Sequence, residues 1–593
     1  MDDNLITADI IAEWLEKNEI SVVFGIIGSA NAYIFDAISR RSFTKIVYMH
    51  HEQALVMAAG AYYRASGKLS VAIVTAGGGS SNAITGVLCN WADSIPCIVI
   101  SGQESRKYLK EHSSMRMYGT QGFDVVSMVE KITKSSFTLT EPYDIQYSLD
   151  KAYDIATADR PGPVWIDIPM DVQSSKIIRN DLKIYKPNIK KSQKLNFENI
   201  KYLINESKKP VILAGHGIRL SNSKNIFTNL VNKLQIPILH SWSAIDLLTS
   251  DNEFNFGSPG IYGQRAANFI VQNCDLLIVM GSRLALPQTS YNIDNFAPNA
   301  KIVMINNDPI ELTKHSRYVD TYNCNCKDAI DYLLDSSVDS FRSEWISECK
   351  KFKKDFPLIE ECHLIDNINY DNSYVFVNNI SKLLDDDHVI VIGQGTPLPC
   401  CHQALIHKAN QIIFASNGLG EMGNGLPSAI GAALSQPERK IILFDGDGSS
   451  MMNLQEFQTV VGLDIPLKIV IFNNQGYLFI KHTQKIFFGG RYTGVDEKTG
   501  VSLPNFEKIS EAFGFKYFNS KENSTDEFLK YDKYAVYEIF MNPEQDLVPK
   551  VKGIMTNNGF LSPPLEEMSP LLPIDTIRNC INNVNILSYE IRK

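Results

Sequence analysis

The sequence predicts an α/β protein of three doubly wound parallel-sheet domains, on three observations. Apolar runs of strand length, such as Lys440-Ile441-Ile442-Leu443-Phe444, end in clusters of glycine, aspartate or asparagine. Between such runs, apolar residues recur at helical spacing, as Leu454, Phe457 and Val461 do. Polar stretches divide these patterned segments into three blocks, and 593 residues suit three or four domains of about 100–200 residues each.

The first block covers 1–175. The short apolar run Ile46-Val47 leads into Tyr48-Met49-His50-His51-Glu52. Residues 54–64 form a small-residue helix suited to close packing on a sheet. A strand at 69–75, a tight loop at Ala76-Gly77-Gly78-Gly79-Ser80-Ser81-Asn82 and a strand at 97–101 follow. Residues 176–196, rich in Lys, Asn, Ile and Pro, read as a linker. The second block, 197–345, carries strands at 210–214, 275–280 and 301–305. The third, 360–545, shares the layout of the first. The tail, 546–593, contains Pro563-Pro564-Leu565 and Met568-Ser569-Pro570. That punctuation describes an extended segment ending in a helix, laid over the active site as a lid or packed on the surface.

The third block carries the chemistry. Gly446-Asp447-Gly448 and Asn473-Asn474 each end an apolar run, one strand-helix-strand length apart. Both clusters therefore sit at carboxyl ends of parallel strands, where open α/β sheets bind ligands. Magnesium takes oxygen ligands and combines one or two protein oxygens with phosphates and water. Asp447, the amide oxygen of Asn474 and the carbonyl of Gly476 supply that set. Gly446 and Gly448 let a phosphate approach the backbone, and Ser449-Ser450 opens the next helix. Alone, Gly-Asp-Gly is usually a turn and Asn-Asn a loop. Their joint spacing points to a magnesium-diphosphate site.

This pair of motifs is similar to the diphosphate motif of thiamine diphosphate enzymes. The resemblance implies a second signal on another domain, and Glu52 in His51-Glu52-Gln53-Ala54 supplies it. By itself Glu52 reads as a solvated glutamate favoured by a helix start. In the family the corresponding glutamate hydrogen-bonds the aminopyrimidine so that the cofactor loses its C2 proton, and a proton-sharing acid suits that role. The cofactor then takes up the electrons left by departing carbon dioxide. The resemblance makes 1–175 the pyrimidine-binding domain and 360–545 the diphosphate and magnesium-binding domain. It places Gly395 and Thr396 of Gly393-Gln394-Gly395-Thr396 beside the diphosphate with Gly446, Gly448 and Ser449. Met422 falls beneath the bent cofactor, and Tyr477 and Leu478 fall on the cofactor wall.

Nearly the whole chain resembles the acetolactate synthase group. Gly260-Ile261-Tyr262-Gly263, Ala266-Ala267-Asn268, Gly281-Ser282-Arg283 and Phe296-Ala297-Pro298 carry much of this. In that group the central domain often holds FAD, so FAD joins thiamine diphosphate and magnesium among the implied cofactors. Here Leu284-Ala285-Leu286-Pro287-Gln288 replaces the usual Phe-Asp-Asp-Arg. Gln121 lies where the group has an active-site glutamine, its alternative being a surface-loop amide. Simple decarboxylases carry paired histidines in the first domain, whereas Glu111-His112-Ser113-Ser114 has one, which favours carbon–carbon bond formation.

The group's tryptophan after Asn-Asn is missing from Gly476-Tyr477-Leu478-Phe479-Ile480-Lys481-His482-Thr483-Gln484. Lys481 and His482 there either meet an anionic acceptor or lie on a solvated helix face. The stretch resembles synthase-like proteins of surface-sugar gene sets, some of which transfer a two-carbon acyl unit to a nucleotide-linked keto sugar. The expected function is therefore a carboligase that takes a 2-oxo acid donor, pyruvate foremost, and a carbonyl acceptor. Acetolactate synthesis and simple decarboxylation are the alternatives. Family sites form between subunits, which implies a homodimer or homotetramer.

Composition agrees with these expectations. Hydrophobic residues are 44% and charged residues 21%, ordinary for a globular protein. A formal net charge of −9 without a long basic block argues against nucleic acid or an anionic membrane as partner. The acidic start Met1-Asp2-Asp3-Asn4 does not resemble a secretory signal, so a cytoplasmic location is expected. The 10 cysteines lack regular spacing, so the close pairs Cys324/Cys326 and Cys400/Cys401 are expected to be buried thiols.

Overall fold

In the computed structural model, which describes residues 5–111, 114–187, 195–338, 342–365, 369–556 and 559–581, three parallel sheets follow one another along the chain. The first contains β1 (Val22–Gly25), β2 (Lys45–Tyr48), β3 (Val71–Val74), β4 (Cys97–Gln103), β5 (Ser135–Thr138) and β6 (Pro163–Pro169), in the order β2-β1-β3-β4-β6-β5. The second contains β7 (Pro210–Ala214), β8 (Ile238–His240), β9 (Leu276–Met280), β10 (Lys301–Asn306) and β11 (Tyr318–Asn323), ordered β11-β10-β9-β7-β8. The third contains β12 (Val389–Ile392), β13 (Ile412–Ala415), β14 (Ile441–Gly446), β15 (Lys468–Asn473), β16 (Lys516–Asn519) and β17 (Ala535–Phe540), ordered β13-β12-β14-β15-β17-β16. Counted within each domain, the first and third orders are the same.

The inner strands of each sheet are buried on both faces, so they are mostly apolar along their length rather than alternately, as β1, β3, β9 and β12 are. Along β3, Val71 and Ile73 enter one core while Ala72 and Val74 enter another. That second core continues into the third domain through Val389, Val391, Ile441 and Leu443. The bridge is a helix pair, Glu52–Ser66 against Gly425–Ser435. A Cβ on Gly431 would stand 2.1 Å from the carbonyl oxygen of Ala58, so only glycine allows this approach. The small-residue helix after Glu52 thus packs on a helix of the third domain as well as on its own sheet.

Two local expectations shift. Residues Gly78–Asn82 form a short helix rather than a tight loop, entered through Gly77 at φ +68, with the Ser80 hydroxyl donating to the Thr75 carbonyl at 2.7 Å. The described tail lies largely against the central domain. Asn268 donates to the Leu565 carbonyl, Arg265 to the carbonyls of Met568 and Pro570, and Leu565, Met568 and Ile577 join the central core. Cys324, Cys326, Cys400 and Cys401 are buried free thiols. Among the described residues no helix is long and apolar enough to cross a membrane.

Candidate active site

In the third sheet the strand order reverses between β12 and β14, which opens a crevice at their carboxyl ends. Gly393-Gln394-Gly395-Thr396 leaves β12 there, Gly446-Asp447-Gly448 ends β14, and Asn473-Asn474 ends the neighbouring β15. The fold brings the motifs together. Asp447 is 1% exposed, and its Oδ1 accepts from the Gly448 N–H at 2.8 Å. Its Oδ2 accepts from the N–H groups of Asn474 (3.0 Å) and Gly476 (3.1 Å). Burial pushes the Asp447 carboxyl up to about 7 against these backbone donors. Asn474 donates from Nδ2 to Thr396 Oγ1 at 3.0 Å, while its Oδ1 is buried without a hydrogen-bond partner. A buried amide oxygen without a donor beside a buried carboxylate suits a hard cation with oxygen ligands, so the residues fit magnesium. Gly476 has φ +147, and a Cβ there would lie 2.0 Å from the Val495 carbonyl oxygen.

The remaining residues assigned to the cofactor gather around this point. A Cβ on Gly448 would meet the Tyr477 ring at 2.3 Å and Met422 Cε at 3.4 Å, so Met422 and Tyr477 flank the glycine. Gly395, at φ +83, has open space where its Cβ would be. Leu478 is buried at the start of the helix Leu478–Phe487. Ser449 is buried, and its hydroxyl accepts from the Gly423 N–H at 3.0 Å, so the side chain serves the neighbouring loop. Asp445 escaped the sequence reading. Burial raises it to about 7, and it accepts from the Gly446 N–H and the Ser450 hydroxyl, bracing the loop from beneath. Its one signal is an acid that directly follows an apolar strand run.

A second group forms in the first domain. Glu52 opens the helix Glu52–Ser66 behind the N-cap His51, whose Nδ1 accepts from the Gln53 N–H at 3.1 Å. Glu52 is half-buried in the single chain, and its Oε2 accepts from Asn82 Nδ2 at 3.0 Å. It therefore faces a polar amide. A Cβ on Gly79 would lie 3.3 Å from Glu52 Oε1, and one on Gly77 would lie 2.9 Å from Gln121 Cβ. The 77–82 turn thus carries Glu52 on one side and the exposed Gln121 on the other. Glu104 holds the Gln121 loop by accepting from the N–H groups of Thr120 (3.2 Å) and Gln121 (3.4 Å). His112 lies outside the described residues.

Both expectations for Lys481 and His482 are corrected. Lys481 is not on a solvated face: its side chain is 11% exposed and pairs with Glu544 at 2.6 Å and Asp496 at 3.5 Å. His482 is buried, with Lys550 Nζ 3.4 Å from its Nδ1. Burial lowers it to about 4, which keeps it neutral near pH 7. Neither is free to grip an anionic acceptor.

The central sheet has its own reversal, between β7 and β9. A cavity of about 1230 Å³, including solvent at its mouth, opens there. His216 and Gly217 after β7, Ser282 and Arg283 after β9, and Asn417 of the third domain line it. Ser258 Oγ, Gln288 Nε2 and Asn417 Oδ1 are buried there without partners. The unpaired polar atoms fit a polar ligand such as FAD. The Leu284 to Gln288 segment contributes no carboxylate to it.

Comparison with known proteins places all three domains. Residues 6–128 match the thiamine pyrophosphate enzyme N-terminal TPP binding domain, 197–333 the central domain, and 399–538 the C-terminal TPP binding domain. The chain is 30% identical over 558 residues to the acetolactate synthase large subunit of Lactococcus lactis, covering 92% of this chain and 94% of that one. It is 31% identical over 531 residues to the probable acetolactate synthase large subunit of Methanocaldococcus jannaschii, covering 86% of each. With acetolactate synthase isozyme 1 large subunit of Escherichia coli it shares 29% over 557 residues, 92% and 95% of the two chains.

Proposed function

The chain belongs to the thiamine pyrophosphate enzymes, in their acetolactate synthase-like group, and from that premise we propose that it is a carboligase joining a decarboxylated 2-oxo acid, pyruvate foremost, to a nucleotide-linked keto sugar. Dependence on thiamine diphosphate and formation of carbon–carbon bonds come with the family. When bound, thiamine diphosphate supplies the electron sink that loss of carbon dioxide requires.

In this reading Asp447, Asn474 Oδ1 and the Gly476 carbonyl hold magnesium. Gly395, Thr396, Gly446, Gly448 and Ser449 surround the diphosphate. Met422 supports the bent cofactor, with Tyr477 and Leu478 on the wall. Glu52 holds the proton shared with the aminopyrimidine, and Gln121 meets substrate from the first domain. Because Glu52 and Asp447 act in one site built across two copies, the enzyme is a homodimer or homotetramer, in the cytoplasm. FAD occupies the central cavity.

The choice of acceptor is supported by the stretch Gly476 to Gln484, which lacks the group's tryptophan and resembles synthase-like proteins of surface-sugar gene sets. Lys481 is paired with Glu544 and Asp496, and His482 is buried and neutral, so these two side chains favour neither a second carboxylate nor a nucleotide's phosphates. The experiment follows carbon-labelled pyruvate by NMR with thiamine diphosphate and magnesium, alone and with a nucleotide-linked 4-keto-6-deoxy sugar. A branched sugar formed only with the second substrate supports the reading. Acetolactate from pyruvate alone would replace it with the second reading, acetolactate synthesis, which the named relatives favour. Acetaldehyde without an acceptor would mark a simple decarboxylase.

A further inference from the structure

The chain enters the helix of Glu52 through a junction that its own domain does not complete. The last bond between β2 and β1 runs from the Met49 N–H to the Gly25 carbonyl at 3.3 Å, and the first helical bond from the Leu55 N–H to the His51 carbonyl at 3.1 Å. The N–H of His50 lies between these and finds its acceptor 406 residues away, in Glu456 of the third domain, at 3.1 Å to Oε1 and 3.4 Å to Oε2. Glu456 opens the helix Glu456–Gly462, shortly after Asn453 and in the segment that follows Asp447.

Its side chain is 0% exposed, yet no lysine or arginine pairs with it among the described residues; the nearest basic group is His50, with Nδ1 at 3.9 Å. Thr459 lies one turn along. Its hydroxyl donates to Glu456 Oε2 at 2.5 Å and lies 2.9 Å from His50 Nδ1. Burying a carboxyl is costly unless its hydrogen bonds are specific. Apart from Thr459 and Gln455 beside it, what Glu456 holds is the backbone N–H of His50, two residues before Glu52, while Thr459 meets the His50 ring.

We propose that Glu456, oriented by Thr459, is a positioning residue for Glu52: it fixes the peptide at His50 and so sets where the helix-opening carboxyl points. The inference rests on the reading of Glu52 as the group that activates the cofactor. It ties the diphosphate-binding segment of a chain to the activating glutamate of the same chain. A second contact runs parallel, since Asn453 Nδ2 donates to the Gly423 carbonyl at 2.7 Å and lies 4.0 Å from Met57 Sδ on the Glu52 helix.

The test measures hydrogen–deuterium exchange at C2 of thiamine diphosphate bound to the full chain with magnesium, in E456A, E456Q, T459V and, in parallel, E52Q. Cofactor affinity and the thermal midpoint are read on the same samples. E456A is expected to slow exchange about 10- to 100-fold, the cost of a displaced catalytic group, with cofactor affinity little changed. E456Q, which keeps one oxygen for the His50 N–H, is expected to retain most of the rate, and T459V to fall between. Exchange at the wild-type rate in folded E456A and T459V, with E52Q slow, overturns the inference. Exchange that falls only in step with cofactor affinity also overturns it, because that is a merely structural role. If E456A does not fold, T459V decides: slowed exchange supports the inference and the wild-type rate overturns it. Wild-type exchange in E52Q would instead refute the role of Glu52 and the inference resting on it.

Discussion

Asn474 gives its backbone N–H to Asp447 Oδ2 at 3.0 Å while its own side-chain oxygen, buried beside that carboxyl, receives nothing. The pair is therefore held in register by the backbone, and the amide oxygen remains available to a cation. Asp447→Ala and Asn474→Ala are each expected to weaken magnesium-dependent binding of thiamine diphosphate by about 10- to 100-fold or more. Titration calorimetry with and without magnesium measures this, and affinities equal to wild type in both variants would refute the metal assignment.

Glu52 opens its helix with Asn82 as its hydrogen-bond donor. Glu52→Gln keeps the shape and removes the acid. Exchange of the C2 proton on bound cofactor should slow by about 100-fold or more, with the cofactor still bound. An unchanged exchange rate would sink the proposed activation.

Asp167 on β6 is 2% exposed and accepts from Ser101 Oγ at 2.5 Å and Gln103 Nε2 at 3.0 Å. Burial still raises it to about 7. Since its folded value lies above its unfolded one, the native state binds the extra proton between about pH 4 and 7. Its contribution is fully present below that window and is lost as pH rises through it, by at most about 1.4 kcal/mol per pH unit. Asp167→Asn removes this slope, so the stability difference should move in the variant's favour between pH 5 and pH 8. Parallel pH profiles in urea denaturation would contradict the assignment.

The contact between Gly431 and Ala58 leaves no room for a side chain. Gly431→Val should force the helix pair apart and cost about 1–3 kcal/mol. An unchanged denaturation midpoint would show that the two domains tolerate a wider spacing.

The motifs were legible because each is local. Gly446-Asp447-Gly448 and Asn473-Asn474 announce themselves where an apolar strand run stops, and a strand end in a parallel sheet is where a binding loop must be. The first and third domains share an alternation of runs in the sequence, and the structure gives them the same strand order. Asp445 was hidden because its role, accepting from the Gly446 N–H and the Ser450 hydroxyl, exists only once the turn after the strand has formed. Lys481 and His482 were misread because helical spacing says which residues share a face but not what lies against it. Asp496, Glu544 and Lys550 decide that, from elsewhere in the chain.

By itself, then, the sequence determined three parallel α/β domains, the Gly446-Asp447-Gly448 and Asn473-Asn474 pair at the ends of strands, and a distant helix-opening glutamate. Only the tertiary structure decided which polar atoms are left without partners, which cations are already neutralised, and that Glu456 reaches across to the peptide before Glu52. The physical reason is that hydrophobic periodicity is written along the chain. Hydrogen-bond satisfaction and charge pairing depend instead on side chains hundreds of residues apart, which become neighbours only after the sheets have formed and packed.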